Sequence, residues 1–388
     1  MQNFDYHNPT RIVFGKDRIA DLGKLVPADA KVLILVGGSS AEKTGTLAEV
    51  RQALGARQHA TFSGIEPNPS FETSMQAVQQ VKDGHFDFLL AVGGGSVIDA
   101  VKFIAAAALF EGSDAWSILQ KHGSNITQAL PFGTVLTLPA TGSEMNSGGV
   151  ITRRSIGAKL AFGSRHCYPV FSVLDPTKTY TLPPQQLANG VVDAFVHTVE
   201  QYLTYPVQGL AQDRFAEGLL QTLIEIAPAA LAEPPDYDSR ANLMWTATLA
   251  LNDLIGAGVP QDWATHMIGH ELTALYGIDH ARTLAIVLPS LLQVQRGSKR
   301  AKLLQYGERV CGICSDSASE DARIDQAIAR TRAFFEGVGI GTRLSDYGLG
   351  TEAVDAVVAQ LTAHGMVALG EQRSITPEVS RAIVQGAL

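Results

Sequence analysis

The chain has 388 residues, more than one hydrophobic core usually holds, so about two domains are expected. Hydrophobic residues make up 46% and charged residues only 18%, which predicts extensive buried surface and argues against disorder. A formal net charge of −8 without a Lys/Arg-rich run argues against nucleic acid or an anionic membrane as main partner, and the longest apolar stretch is broken by glycines, Asp99 and Lys102.

In chain order, the first half alternates short aliphatic runs with amphipathic stretches. Residues 31–36 (KVLILV), 86–92 (FDFLLAV), 134–138 (TVLTL) and 170–174 (VFSVL) predict buried strands, with helices over 41–54, 71–82 and 97–109. This alternation predicts an α/β domain over residues 1–180, built on a mostly parallel sheet covered on both faces. After Asp175-Pro176 the strand-like runs nearly vanish and apolar residues recur at helical spacing, which predicts an all-helical domain over residues 181–388. Pro183-Pro184 and Glu233-Pro234-Pro235-Asp236 mark turns, the latter followed by an N-cap-like start. No repeat or low-complexity segment is present.

Gly93-Gly94-Gly95-Ser96 follows the strand FLLAV directly and precedes a helix. Glycines there let backbone N–H groups approach a phosphate, and the helix N-terminus adds the positive end of its dipole. Neither G-x-G-x-x-G nor the P-loop pattern occurs in that segment, so a nucleotide fold with another phosphate turn is expected.

Between residues 193 and 280 stand one aspartate and four histidines: Asp193 and His197, His266 and His270, and His280. The first two pairs are each four residues apart, one turn along the same face of a helix. Asp193 and His197 interrupt an otherwise apolar segment, LANGVVDAFVHTVEQYL. A buried carboxylate and imidazole need partners, and a shared divalent cation is one of the few that neutralises the carboxylate. Glycine turns in the first half and metal-type residues in the second predict an active site between them. HELTA at 270–274 carries Ala274 where a zinc protease needs its second histidine, which argues against peptidase activity.

Three cysteines cannot form a fully paired disulfide framework. Cys311-Gly312-Ile313-Cys314 lies in a helical-looking stretch without a second pair to complete a zinc site, and is expected to be ordinary packing or surface. The N-terminus shows neither a basic region nor an apolar leader, so a cytoplasmic location is expected.

Taken together these motifs, from Asn8-Pro9-Thr10-Arg11-Ile12-Val13-Phe14-Gly15-Lys16 to Leu344-Ser345-Asp346-Tyr347-Gly348, resemble the iron-containing (group III) alcohol dehydrogenases, and within them the NADP(H)-dependent butanol dehydrogenase or broad-range aldehyde reductase branch. The resemblance implies the dehydroquinate synthase-like fold. It implies pyrophosphate binding by Gly93, Gly94, Gly95 and Ser96, with Asp99 and Lys102 behind them, and metal ligation by Asp193, His197, His266 and His280. His270 matches a family histidine near the nicotinamide that is not usually counted as a ligand. Two departures stand out: Asp279-His280-Ala281 replaces the frequent Pro-His-Gly, and Thr137-Leu138-Pro139-Ala140-Thr141-Gly142-Ser143-Glu144 replaces T-T-A-G-T-G-S-E. Thr137, Thr141 and Ser143 remain as expected contacts to ribose and nicotinamide.

Many NAD-using dehydrogenases place an acid after the first strand, where it bonds the adenosine ribose and repels a 2′-phosphate. Here Gly37-Gly38-Ser39-Ser40 follows KVLILV, and in the resemblance Gly38 takes that acid's position. With the repulsive group missing, backbone N–H groups, Ser39, Ser40 and Lys43 predict NADP(H). The expected activity is hydride transfer between NADP(H) and a primary alcohol/aldehyde pair, in the direction of aldehyde reduction. The expected metal is Fe(II), with Zn(II) able to occupy the site, because four protein ligands require substrate to enter as a fifth. His270 is the expected proton relay, since histidine's ordinary pKa of about 6.5 permits both directions. A homodimer or larger assembly is expected. The rival readings are an NAD-dependent glycerol dehydrogenase-like enzyme, a dehydroquinate synthase, disfavoured because 188–202 and 261–280 contain no Lys or Arg, and a non-catalytic nucleotide-binding protein.

Overall fold

A strand is buried at every position only where its sheet is covered on both faces, and the run Val32–Val36 is such a strand. A computed structural model describes residues 1–316 and 318–388. It has a six-stranded sheet of β1 (Arg11–Phe14), β2 (Val32–Val36), β3 (His59–Phe62), β4 (Phe88–Gly93), β5 (Phe132–Leu136) and β8 (Phe171–Leu174), with β6 (Gly148–Arg153) and β7 (Ala158–Gly163) forming a separate antiparallel hairpin. The sheet order is β1-β8-β5-β4-β2-β3, and every pairing in it is parallel.

Residue alternation sorts β2 into two cores. Leu33 and Leu35 join Leu89, Ala91, Phe103, Ile104 and Trp116 on one face. Val32, Ile34 and Val36 join Val50, Leu54, Leu90 and Val92 on the other. The helix Gly95–Ala108, rich in alanine and buried nearly throughout, packs against the first of these cores.

Contacts divide the chain into two units that are not separated by a single cut. His7–Pro183 cluster with Pro235–Thr248, while Met1–Tyr6 cluster with Pro184–Pro234 and Leu249–Leu388. The second unit is helical, with major helices Pro184–Tyr202, Leu210–Leu231, Ala264–Tyr276, His280–Val294 and Glu320–Gly337. Among the described residues no helix is long and apolar enough to cross a membrane.

Several boundaries differ from the sequence expectation. The strand expected over 134–138 runs from Phe132 to Leu136, because its pairing with β4 ends at Gly93 opposite Leu136 and Pro139 follows. The helix expected over 41–54 is two pieces, Ser40–Lys43 and Thr46–Leu54, interrupted where Gly45 takes a left-handed backbone (φ 81°). The helix Arg300–Arg309 stops before Cys311, so the C-x-x-C run lies in a turn containing Gly312 at φ 66° rather than in a helix.

The phosphate-type turn is built by close packing. A Cβ on Gly95 would stand 2.3 Å from Thr141 Oγ1 and 2.9 Å from Thr141 Cβ, so the helix start and the segment after β5 touch only because residue 95 is glycine. Gly95→Ala is expected to cost about 1–3 kcal/mol, the usual overpacking penalty, read as a lower midpoint of thermal unfolding. An unchanged midpoint would show that Thr141 moves aside freely.

Candidate metal centre and cofactor turns

Pro184 opens the helix Pro184–Tyr202, a position where its missing N–H costs nothing. Asp193 and His197 lie one turn apart within it, exposed by only 3% and 4%. His266 and His270 repeat the spacing on Ala264–Tyr276 and are also buried, while His280 starts His280–Val294 with its side chain 24% exposed. A Cβ on Gly269 would stand 2.9 Å from Thr283 Oγ1, so glycine lets these last two helices approach closely.

Three of the imidazoles converge on one carboxylate oxygen. Asp193 Oδ1 stands 3.7 Å from His197 Nε2, 4.0 Å from His266 Nε2 and 3.7 Å from His280 Nε2. Donors bound at about 2.1 Å around a tetrahedral ion lie about 3.4 Å apart, so the spacing fits a single cation. The donor atoms of Asp193, His266 and His280 all lie within 4.8 Å of one another, whereas His197 joins through Asp193 and stacks on His266 with ring centroids 4.7 Å apart. Burial brings the His197 pKa down to about 4, with Asp193 opposing and His266 adding to the fall. That imidazole is therefore neutral near pH 7, the form that ligates metal.

His270 lies beside this cluster, its ring centroid 5.1 Å from that of His280 and 6.1 Å from that of His266. Trp263 packs edge-on against His266 at 5.2 Å and adopts a left-handed backbone (φ 65°), an uncommon conformation for a bulky residue. Sequence reasoning did not single out Glu200, which is buried and whose carboxylate meets His266 Nδ1. Its signal was present: Asp193, His197 and Glu200 are spaced i, i+4, i+7 along one helical face. Burial, followed by the nearby charge of Asp262, raises the Glu200 pKa, while hydrogen bonds from Thr265 and His266 oppose the rise and favour the accepting carboxylate.

In the sheet unit, the segments expected to hold the cofactor gather at the carboxyl ends of three neighbouring strands. Gly37, Gly38, Ser39 and Ser40 follow β2, Gly93, Gly94, Gly95 and Ser96 end β4 and begin its helix, and Thr137, Thr141 and Ser143 follow β5. Ligands of open parallel sheets bind at this edge. Gly38, Ser39 and Ser40 are exposed, and a Cβ on Gly38 would meet nothing within 4 Å.

Asp99 and Ser143 are engaged with each other behind the turn. Ser143 Oγ donates to Asp99 Oδ1 (2.6 Å), and the Val150 N–H donates to Asp99 Oδ2 (2.9 Å). The fully buried Lys102 donates to Ser143 Oγ (2.8 Å), Asn146 Oδ1 (2.8 Å) and the Gly148 carbonyl (2.6 Å). Desolvation raises the Asp99 pKa, and Lys102, Ser143 and Val150 oppose it.

Family sequence models match both halves: "Iron-containing alcohol dehydrogenase" over residues 9–176 and "Fe-containing alcohol dehydrogenase family, C-terminal" over residues 187–387. The chain belongs to the iron-containing alcohol dehydrogenase family. Among relatives, it is 61% identical over the full length of both chains to the NADPH-dependent aldehyde reductase YqhD of Escherichia coli (strain K12). It is 39% identical to the probable NADH-dependent butanol dehydrogenase 1 of Bacillus subtilis (strain 168), again with 100% of each chain covered. The crystal structure of E. coli K-12 YqhD superposes with a TM-score of 0.98 at 60% identity, covering 100% of this chain and 99% of that one. These comparisons give the family and its two-part fold, an α/β parallel-sheet domain followed by a helical one.

Proposed function

We propose that this family member is an NADP(H)- and metal-dependent oxidoreductase that reduces short to medium aldehydes to primary alcohols. The observation that carries the reading is the convergence of three imidazole Nε2 atoms on Asp193 Oδ1 inside a buried helical core. The 61% identical relative that is named an NADPH-dependent aldehyde reductase supports the same direction and cofactor.

In this reading Asp193, His197, His266 and His280 hold the divalent ion, with Fe(II) favoured and Zn(II) an alternative occupant. When bound, the metal polarises the aldehyde oxygen and the reduced nicotinamide supplies hydride to the carbonyl carbon. Asp193 leaves a divalent ion with about one net positive charge, suited to the oxygen's developing negative charge. His270, beside the cluster but outside the ligand set, passes the proton that completes the alcohol. Gly93, Gly94, Gly95 and Ser96 take the pyrophosphate at the helix start, and Thr137 and Thr141 line the ribose and nicotinamide end. Asp99, Ser143 and Lys102 hold those segments in place. The open, exposed turn at Gly38, Ser39 and Ser40 accepts the 2′-phosphate. A homodimer or larger assembly in the cytoplasm completes the proposal.

The direct test is butanal-dependent oxidation of NADPH, and of NADH in parallel, by protein stripped of metal and reconstituted with Fe(II) or Zn(II). Turnover that needs metal and favours NADPH is expected. Preference for NADH, the cofactor in the name of the B. subtilis relative, would move the assignment toward NAD-dependent enzymes. Binding of NADPH and metal without turnover would favour a non-catalytic protein.

Residue-level outcomes follow from the same geometry. Gly38→Asp introduces a carboxylate into open space, and its repulsion of a 2′-phosphate is expected to lower kcat/KM for NADPH on the order of 100-fold relative to NADH. An unchanged cofactor ratio would place the 2′-phosphate elsewhere. His270→Ala is expected to lower kcat by about 100-fold, the lower range for a lost acid–base group, with metal content by atomic emission unchanged. Metal loss in that variant would make His270 a ligand.

A further inference from the structure

Glu200 has no role in the reaction as described, yet both of its carboxylate oxygens and its backbone carbonyl are directed at the segment that carries His266. One oxygen, Oε2, meets His266 Nδ1, and the other, Oε1, accepts the Thr265 N–H (2.6 Å). Its backbone carbonyl accepts the Asp262 N–H (2.9 Å). Asp262 in turn accepts the Ala264 N–H at Oδ1 (3.1 Å) and pairs with the buried Lys299 (2.7 Å), which also pairs with Glu371 (3.0 Å) and donates to the Leu203 carbonyl (2.7 Å). Residues 262–265, which lead into the helix bearing His266, are thus tied at several points to the end of the helix bearing Asp193.

We propose that Glu200 is a positioning residue for the metal, holding His266 in the tautomer whose Nδ1 carries the proton and whose Nε2 lone pair faces Asp193 Oδ1. This rests on the metal-site reading above. A neutral imidazole carries its proton on one nitrogen only, and whichever nitrogen bears it cannot ligate. Glu200 Oε2 accepts on the Nδ1 side, and Nε2 is the atom 4.0 Å from Asp193 Oδ1, so the hydrogen bond selects the ligating form. A carboxylate serving only as an anchor for Thr265 would need one oxygen. The second is placed on the one ring nitrogen that stands away from Asp193. Oriented carboxylates of this kind also make the imidazole a stronger donor.

The test is Glu200→Gln, which keeps the side-chain shape. The amide has one accepting oxygen for two N–H donors, so either Thr265 or His266 loses its partner. If the amide N–H faces Nδ1, it stabilises the Nε2–H form that cannot ligate. Zinc affinity is measured by competition with a chromogenic chelator, beside far-UV circular dichroism and the unfolding midpoint of the metal-free protein. The expected result is a zinc dissociation constant raised about 10- to 100-fold with helical content retained. An unchanged constant in the variant, with the wild type binding zinc, overturns the role of Glu200 alone. Failure of the wild type itself to bind zinc overturns the metal reading. Should Glu200→Gln not fold, histidine 15N spectra of the metal-free wild type decide: a protonated Nδ1 at His266 supports the proposal, and the Nε2–H form overturns it.

Discussion

Much of the helical unit follows from the cost of placing one carboxylate in an apolar helix. Asp193 is flanked by Val191, Val192, Ala194, Phe195 and Val196, all without solvent exposure. Phe195 packs against both Phe334 and Phe335, with ring centroids at 5.2 and 5.4 Å, so the helix that carries Asp193 is also held by aromatic packing. An unpaired carboxylate in such a setting is expensive. The chain surrounds it with imidazoles from three helices, and the glycine at 269 lets two of those helices come close enough to deliver them. A neutral His197 contributes a lone pair rather than a compensating charge. Such a donor set is suited to a cation.

The part of this legible in the sequence was the part with a period. Asp193/His197 and His266/His270 announce themselves by i, i+4 spacing inside apolar runs, β2 and β4 by short apolar runs, and β8 by a run broken only at Ser172. What escaped lacks that contrast. β3 (HATF) is an edge strand with no fully buried residue, and β1 (RIVF) at the other edge has one. Edge strands carry little of the hydrophobic signal by which strands are read. The hairpin β6–β7 mixes glycine, arginine and lysine with its apolar residues, and its register is fixed by pairing across residues 148 to 163, which no single run displays. The break at Gly45 depends on a left-handed backbone that composition permits but does not require.

Glu200 illustrates a subtler limit. Its spacing placed it on the same helical face as Asp193 and His197, but a glutamate in a run ending VEQY is as compatible with a solvated helix end as with a buried partner. What distinguishes the two is residues 262–265, distant in sequence, whose N–H groups arrive only after the chain has folded back. Long-range contacts of this kind give no local signature.

Two buried charges, Lys102 in the sheet unit and Asp193 in the helical unit, meet different kinds of partner. Lys102 in the sheet unit is met by Ser143, Asn146 and the Gly148 carbonyl, with Asp99 bound to Ser143, so charge and hydrogen-bonding groups are matched within the protein. Such a network fixes the segment after β5 against the helix that starts at Gly95, and it does so with every partner supplied by the chain. Asp193 is instead faced by the Nε2 atoms of three imidazoles at 3.7–4.0 Å, beyond hydrogen-bond length but near the spacing expected of donors around one metal ion. Carboxylate and imidazoles at direct hydrogen-bond distance would form a self-contained cluster. Held slightly apart by three helices, they have the spacing of a donor set around one divalent ion.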